Sequence, residues 1–195
     1  MTKGRFSKKT FVENHFLAGE RIYLRPLDEN DLRGNYVSWL NDEGVSKYNS
    51  HHTFPYSYSE GLEYIKQSSK SKDKIVLAII LKKKKLHIGN IALQNIDPVN
   101  RSAELAILLG EKDYWHKGYS KEAAFLILRH GFDELNLNRI YCGASSENLA
   151  MQKLAASLGM IEEGRRRKGL FKDGNYADIV EYGVLRSELK TKFIQ

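Results

Sequence analysis

The stretch Glu104–Ala123, ELAILLGEKDYWHKGYSKEA, carries the order of elements on which the fold turns. Ala103–Leu109 is apolar and bounded by turn residues, which reads as a strand. A polar loop follows Gly110. From Ser120 a helix runs to about Leu135, with Ala123, Ile127, Gly131 and Leu135 at helical spacing. Gly118 stands where that helix opens. The first turn of a helix leaves backbone N–H groups without intrahelical partners, and the helix dipole adds positive charge there, so such an end receives anions. Gly118 lets a phosphate approach the backbone, and Lys117 and Lys121 add charge. A glycine needed only for the turn is the competing reading, and one glycine does not choose between them.

Toward the N-terminus, Ile75–Leu81 and Leu86–Ile96 read as strands of a hairpin whose tip is Lys82–Lys85. That lysine run is a solvated turn or, alternatively, an anion site. Glu20–Leu27 alternates and reads as a strand closed by Pro26. Asp28 is placed to cap a helix carrying Leu32, Tyr36, Trp39 and Leu40, which Asn41–Gly44 breaks. Ser59 is placed to cap a second helix with Leu62, Ile65 and Ser69 facing inward. Toward the C-terminus, Arg139–Ala144 reads as a strand. Asn148 caps a helix bearing Met151, Leu154, Ala155 and Leu158, ended by Gly159 in a left-handed conformation. Two last strands, Glu163–Phe171 and Tyr176–Leu185, bracket the turn Lys172–Asn175. The sum is one α/β (α+β) domain over 18–190, with a mostly antiparallel sheet and one locally parallel pair where a helix crosses over. Residues 1–17 read as a loose basic arm.

Length and charge narrow the function. A chain of 195 residues suits one core. Its single cysteine, Cys142, excludes an intramolecular disulfide and reads as a buried strand thiol. His51 and His52 are adjacent, a poor spacing for joint ligation, so no metal is expected. No run reaches the ~20 apolar residues of a membrane span, and no apolar core follows the basic first residues, so a cytoplasmic protein is expected. The net charge of +7 favours an anionic partner: nucleic acid, a membrane surface or a polyphosphate. G-x-x-x-x-G-K-[ST], H-E-x-x-H and G-x-S-x-G are absent, and no G-x-G-x-x-G follows a strand.

Tyr114–Ala123, YWHKGYSKEA, resembles the acetyl-CoA-binding motif of the GNAT N-acetyltransferase superfamily. Within it the chain looks most like the branch of ribosomal-protein alanine and spermidine N-acetyltransferases. The signature Gln/Arg-x-x-Gly-x-Gly/Ala falls on Trp115–Ser120, with His116 where glycine is common and Ser120 in place of glycine or alanine. Arg21–Leu27 (RIYLRPL), Trp39–Asp42 (WLND), Asn148–Met160 (NLAMQKLAASLGM) and the Phe171–Asp178 run extend the resemblance over roughly 20–187. It implies a GNAT-like mixed sheet flanked by helices, with a splayed strand pair at the acetyl-CoA site. The co-substrate is then acetyl-CoA, attacked directly by a primary amine in a ternary complex. The amine is a protein N-terminal α-amine or a small-molecule amine such as a nucleotide-linked amino sugar.

On that resemblance, acetyl-CoA contacts Leu108, Leu109 and Gly110 at the strand end, then His116, Lys117, Gly118, Tyr119, Ser120 and Lys121 in the loop, and Asn148 and Lys153 on the next helix. A backbone N–H near Leu109 serves the oxyanion. Glu104 is the candidate base, with an edge carboxylate paired to Arg101 or a lysine as its alternative; Asn148 is a catalytic-site asparagine or simply a helix cap. The family's usual proton donors to the thiolate are a tyrosine seven residues after the asparagine or a serine three after it. Ala155 and Met151 stand there, which leaves Ser145, Ser146, a nearby tyrosine or unassisted departure. Trp39, Tyr48, His51, His52 and Phe54, with Tyr56, are candidates to hold the acceptor, or else to pack a loop. A polyamine acceptor is disfavoured by the +7 charge. A basic RNA- or ribosome-associated module is the non-catalytic alternative, resting on Arg165–Lys168 and the N-terminal arm, though nucleic acid is not the expected partner. No membrane partner is expected, and a homodimer is left open.

Overall fold

A computed structural model of the chain describes residues 15–49 and 51–189. In chain order the elements are β1 (Leu17–Ala18), β2 (Ile22–Pro26), α1 (Tyr36–Leu40), α2 (Tyr58–Lys70), β3 (Ile75–Leu81), β4 (Leu86–Asp97) and β5 (Ser102–Leu109). There follow α3 (Tyr119–Asp133), β6 (Arg139–Ser145), α4 (Leu149–Ser157), β7 (Ile161–Lys172) and β8 (Asn175–Leu185). The strands make one sheet in the order β1-β2-β3-β4-β5-β6-β8-β7. All neighbours are antiparallel except β5 and β6, which are joined through the crossover helix α3. This is the mixed, mostly antiparallel sheet expected from the sequence.

Three local expectations change. The helix expected after Asp28 divides into a 3₁₀ turn over Glu29–Arg33 and the short α1. Asp28 and Asp31 cap each other's backbone N–H groups across the turn, Gly34 interrupts, and the chain restarts at Asn35. Ser57, not Ser59, caps α2: its hydroxyl accepts the Glu60 N–H at 3.2 Å while the Glu60 carboxylate accepts the Ser57 N–H at 2.7 Å. The inward face of α2 accordingly holds Gly61 and Ile65, and Ser69 is exposed. The basic arm falls mostly outside the described residues, but its last part is pinned to the sheet. The Phe16 N–H bonds to the Leu24 carbonyl at 2.8 Å, and Leu17 and Ala18 pair with β2.

The sheet carries helices on both faces. On one face α3 and α4 bury Ala123, Ala124, Ile127, Leu128, Phe132 and Ala155 against Ala103 and Leu105 of β5 and Ile140, Cys142 and Ala144 of β6. On the other, α1, α2 and the 3₁₀ turn bury Leu32, Tyr36, Trp39, Leu40 and Ile65 against Tyr23, Ala78 and Ile80. Alternation along the strands therefore turns Glu104, Ala106 and Leu108 of β5, and Tyr141 and Ser145 of β6, toward the α1–α2 face.

What positions the site is the junction of β5 and β6. They pair only at Ser102–Arg139, Ala103–Ile140 and Glu104–Tyr141. Beyond that point β5 stays with β4 as far as Leu109, and β6 stays with β8 as far as Ser145. The two arms part, and the sheet opens as a V with Glu104 at its apex.

Candidate active site

The V exposes backbone hydrogen-bonding groups on its inner edges. Gly110 donates its N–H to Ile88 of β4 at 3.0 Å, and the alternation of an antiparallel strand then turns Ile107 and Leu109 the other way, into the gap. The Leu109 carbonyl confirms that direction by accepting the Trp115 indole N–H at 2.7 Å. On β6, Ser146 donates to Asp178 of the outer side at 2.8 Å, so Gly143 presents its N–H and C=O to the gap. An extended amide-bearing chain laid between the arms would meet strand-like partners on both sides.

At the mouth of the V sits the α3 N-terminus. Gly118 is its N-cap at φ +81°, and His116 also lies in the left-handed region at φ +59°. Intrahelical pairing begins with Glu122 donating to the Gly118 carbonyl, so the preceding N–H groups of the turn face outward. Together they form a backbone concavity suited to an anion. The loop is braced from β2's edge: Arg21 donates to the Lys117 carbonyl at 2.8 Å, pairs with Glu122 at 2.9 Å and lies over the Tyr119 ring at 4.6 Å. The lysine hairpin tip reaches this corner, since Lys84 Nζ donates to the Tyr114 hydroxyl at 3.0 Å and Lys117 lies over the same ring. Arg21 and Glu122 are a hundred residues apart, and no local pattern announces the pair.

On the α1–α2 face the V opens into a cavity of about 440 Å³. Its lining joins Glu104 and Leu108 of β5 to Ser145 of β6 and to Asn148 and Met151 at the start of α4. The Glu104 Oε2 accepts the Gln94 amide at 3.1 Å and the Asn95 amide at 2.9 Å, while Arg101 is bound to Asn136 at 2.8 Å instead. The edge ion pair weighed for Glu104 with Arg101 is thus not the arrangement found. Asn148 caps α4 through its side chain, Oδ1 accepting the Met151 N–H at 3.1 Å, which leaves its amide NH₂ and the second lone pair of Oδ1 for further contacts.

Of the acceptor candidates, Tyr48, His51 and Tyr56 line the cavity. Trp39, His52 and Phe54 do not. Phe54 is 77% exposed, and Trp39 is a buried buttress under the end of β5. Its indole N–H bonds to Glu111 at 3.0 Å, and its ring lies so close to Gly110 that a Cβ there would fall 1.9 Å from it. Lys153 is exposed on α4 outside the cavity lining. Tyr36 and Tyr64 complete the aromatic wall, and nothing in the sequence distinguishes them from packing residues. Burial pushes the Tyr36, Tyr56 and Tyr64 phenols up, so they stay protonated and neutral near pH 7. Asn90, another lining residue, accepts from His87, whose other ring nitrogen lies 3.3 Å from the buried Asp31. Asp31 is gripped by Arg25 at 2.6 Å. Burial alone would raise the Asp31 pKa, but the bonds from Arg25 and His87 outweigh it and hold it well below the usual carboxylate range. On β7, Arg165 pairs with Glu162 and Arg166 with Glu181, so half of the basic run weighed for nucleic acid is already engaged.

Comparison with known proteins adds a family to this geometry. Residues 21–161 match the family model described as an acetyltransferase (GNAT) domain. YdaF of Bacillus subtilis, assigned provisionally to ribosomal N-acetyltransferases, is 35% identical over 100 residues, which is 51% of this chain and 54% of that protein. The uncharacterized N-acetyltransferase p20 of Bacillus licheniformis is 30% identical over 87% of this chain and 95% of its own. Among solved structures, the Vibrio cholerae spermidine N-acetyltransferase in complex with CoA and spermine superposes with a TM-score of 0.78 at 27% identity, covering 86% of this chain and 97% of that one. Among the described residues no helix is long and apolar enough to cross a membrane.

Proposed function

The chain belongs to the GNAT acetyltransferase family, and from that premise we propose that it binds acetyl-CoA along the parted edges of β5 and β6 and passes the acetyl group to a primary amine in the cavity beyond. One observation carries this reading: the V opens directly onto a cavity with a carboxylate at its apex. The pantetheine arm is extended and carries two amides, which suit the gap-facing groups of Leu109 and Gly143. Its pyrophosphate suits the α3 N-terminus beside Lys117.

Reach assigns the chemistry along β5. At ~3.3 Å per residue, the Ile107 N–H lies about 10 Å from Glu104 and the Leu109 N–H about 16 Å. A glutamate side chain and one bridging water span the shorter distance only. Ile107 is therefore the better oxyanion donor, one step nearer the apex than the N–H near Leu109 expected from the sequence. The amine lone pair attacks the carbonyl carbon, the oxyanion receives the Ile107 N–H, and Glu104 takes the nitrogen's proton through water.

The lining also bears on the acceptor. Among the described lining residues Glu104 is the one carboxylate, and the four tyrosines Tyr36, Tyr48, Tyr56 and Tyr64 add flat faces without negative charge. One ammonium is compensated there, by Glu104 or over a ring. The several ammonium groups of a polyamine would not be, and burying unpaired charge is costly. This favours a monoamine, a peptide α-amine or an amino sugar, over spermidine. Calorimetry with acetyl-CoA followed by an acceptor panel tests it. One-to-one binding and a kcat/KM at least about tenfold higher for a monoamine than for spermidine are expected. Absence of acetyl-CoA binding, or preference for spermidine, refutes the corresponding part.

A further inference from the structure

The departing sulfur has no donor at either position where the resemblance would put one. Met151 lines the cavity with a thioether that carries no hydrogen to give, and Ala155 is fully buried against the α3 side of the sheet. Ser146 lies outside the cavity lining, and the lining tyrosines come from α1, α2 and the segment between them rather than from the arms of the V. Ser145 differs from all of these. It ends β6, the arm of the V that faces Leu108, and only 4% of it is exposed. Its side chain shares the face of Glu104. Because Glu104 and Tyr141 are paired, Ser145, four residues past Tyr141, stands level with Leu108, four residues past Glu104. The hydroxyl accepts the Glu147 N–H at 3.3 Å, and among the described residues no hydrogen bond uses its own proton. A hydroxyl that only accepts still has a donor to spend.

We propose that the Ser145 hydroxyl donates to the CoA sulfur as the C–S bond breaks. This rests on the reading that acetyl-CoA lies in the V. With the amine and Glu104 at the apex and the carbonyl oxygen at Ile107, the thioester's next atom toward the mouth is the sulfur, at the level of Ser145. The C–N bond forms from the amine lone pair, and the carbonyl electron pair moves to oxygen and returns as the C–S bond breaks. The nitrogen's proton leaves through water to Glu104 and from there to solvent. The sulfur departs as a thiolate held by the Ser145 O–H, and takes its proton from water as CoA leaves.

Ser145→Ala should lower kcat about 10- to 100-fold, the worth of one hydrogen bond to a charged atom, while the Kd for acetyl-CoA stays within about twofold. Ser145→Thr, which keeps the hydroxyl, should recover most of the rate. A purely structural serine would not move the second readout, the ultraviolet absorbance of the CoA thiolate followed against pH in the complex. In the wild type the bound thiol should deprotonate about one pH unit below that of the Ala variant, a tenfold change in proton affinity. Equal titrations in the two proteins, or an unchanged kcat, overturn the proposal. If the Ala variant does not fold, wild-type CoA titrating no lower than free CoA does the same. Failure of the wild type to bind acetyl-CoA at all would instead remove the reading beneath it.

Discussion

Glu104→Gln separates a base from a structural carboxylate, because the surroundings of Glu104 tolerate the exchange. Gln94 and Asn95 both donate to one oxygen, Oε2, at 3.1 and 2.9 Å. A glutamine carbonyl can take both bonds, with its NH₂ where Oε1 stood, so size and hydrogen bonding persist and only charge and basicity go. Hydrogen bonds to a charged group contribute about 1.5–3 kcal/mol and neutral ones about 0.5–1.5, so the fold loses on the order of 1 kcal/mol. Half-burial of the side chain reduces this further. The melting temperature should fall by a few degrees at most. If Glu104 accepts the proton, kcat should fall about 100-fold with acetyl-CoA affinity nearly unchanged. The deficit should shrink as pH rises toward the acceptor amine's own pKa, near ~8 for an α-amine or ~10.4 for a lysine-like one, since free amine then forms without help. The assay is a pH–rate profile of both proteins at saturating acetyl-CoA, with melting curves alongside. A variant within twofold of wild-type kcat, or a deficit that does not change with pH, refutes the reasoning.

Two other substitutions probe the frame around the cleft. Gly118→Trp should abolish acetyl-CoA binding in calorimetry while circular dichroism stays native. The position is exposed, but its φ of +81° and a Cβ that would lie 3.3 Å from Arg21 put the side chain at the turn proposed to take the phosphates, and wild-type affinity in a folded variant would show that they bind elsewhere. Asp31→Asn should cost about 3 kcal/mol in denaturant unfolding, because Arg25 loses its buried partner. The folded Asp31 pKa is depressed, so its contribution is complete above the unfolded value near ~3.9 and is lost as pH falls below it. Wild-type stability should decline in that acid window more steeply than the variant's, and parallel profiles would deny Asp31 this role.

Most of the fold was legible from local pattern. The lysine-tipped hairpin, the strand Ser102–Leu109, the helix after Gly118 and the Asn148 cap are each fixed by residues adjacent in sequence, through alternation, helical spacing and capping chemistry. The loop that opens α3 was legible for the same reason, since a glycine, two lysines and a helix start lie within a few residues. Where local reading failed, two local signals competed. Ser57 and Ser59 both precede the same helix, and only the return bond from Glu60 chooses Ser57.

The cleft itself belongs to the tertiary structure. That β5 and β6 part after Glu104 follows from each strand keeping its outer neighbour, β4 and β8, and those pairings join residues far apart in the chain. Trp39 has the same sequence credentials as Tyr48, yet one braces Gly110 and the other lines the cavity. Arg21 and Glu122 meet across a hundred residues to brace the loop before α3, and Ser145 and Leu108 line one cavity only because β5 and β6 pair at the apex of the V. Periodicity tells which face a side chain takes within its own element. Which atoms lie across from it depends on how separate elements pack, and that information is distributed over the whole chain.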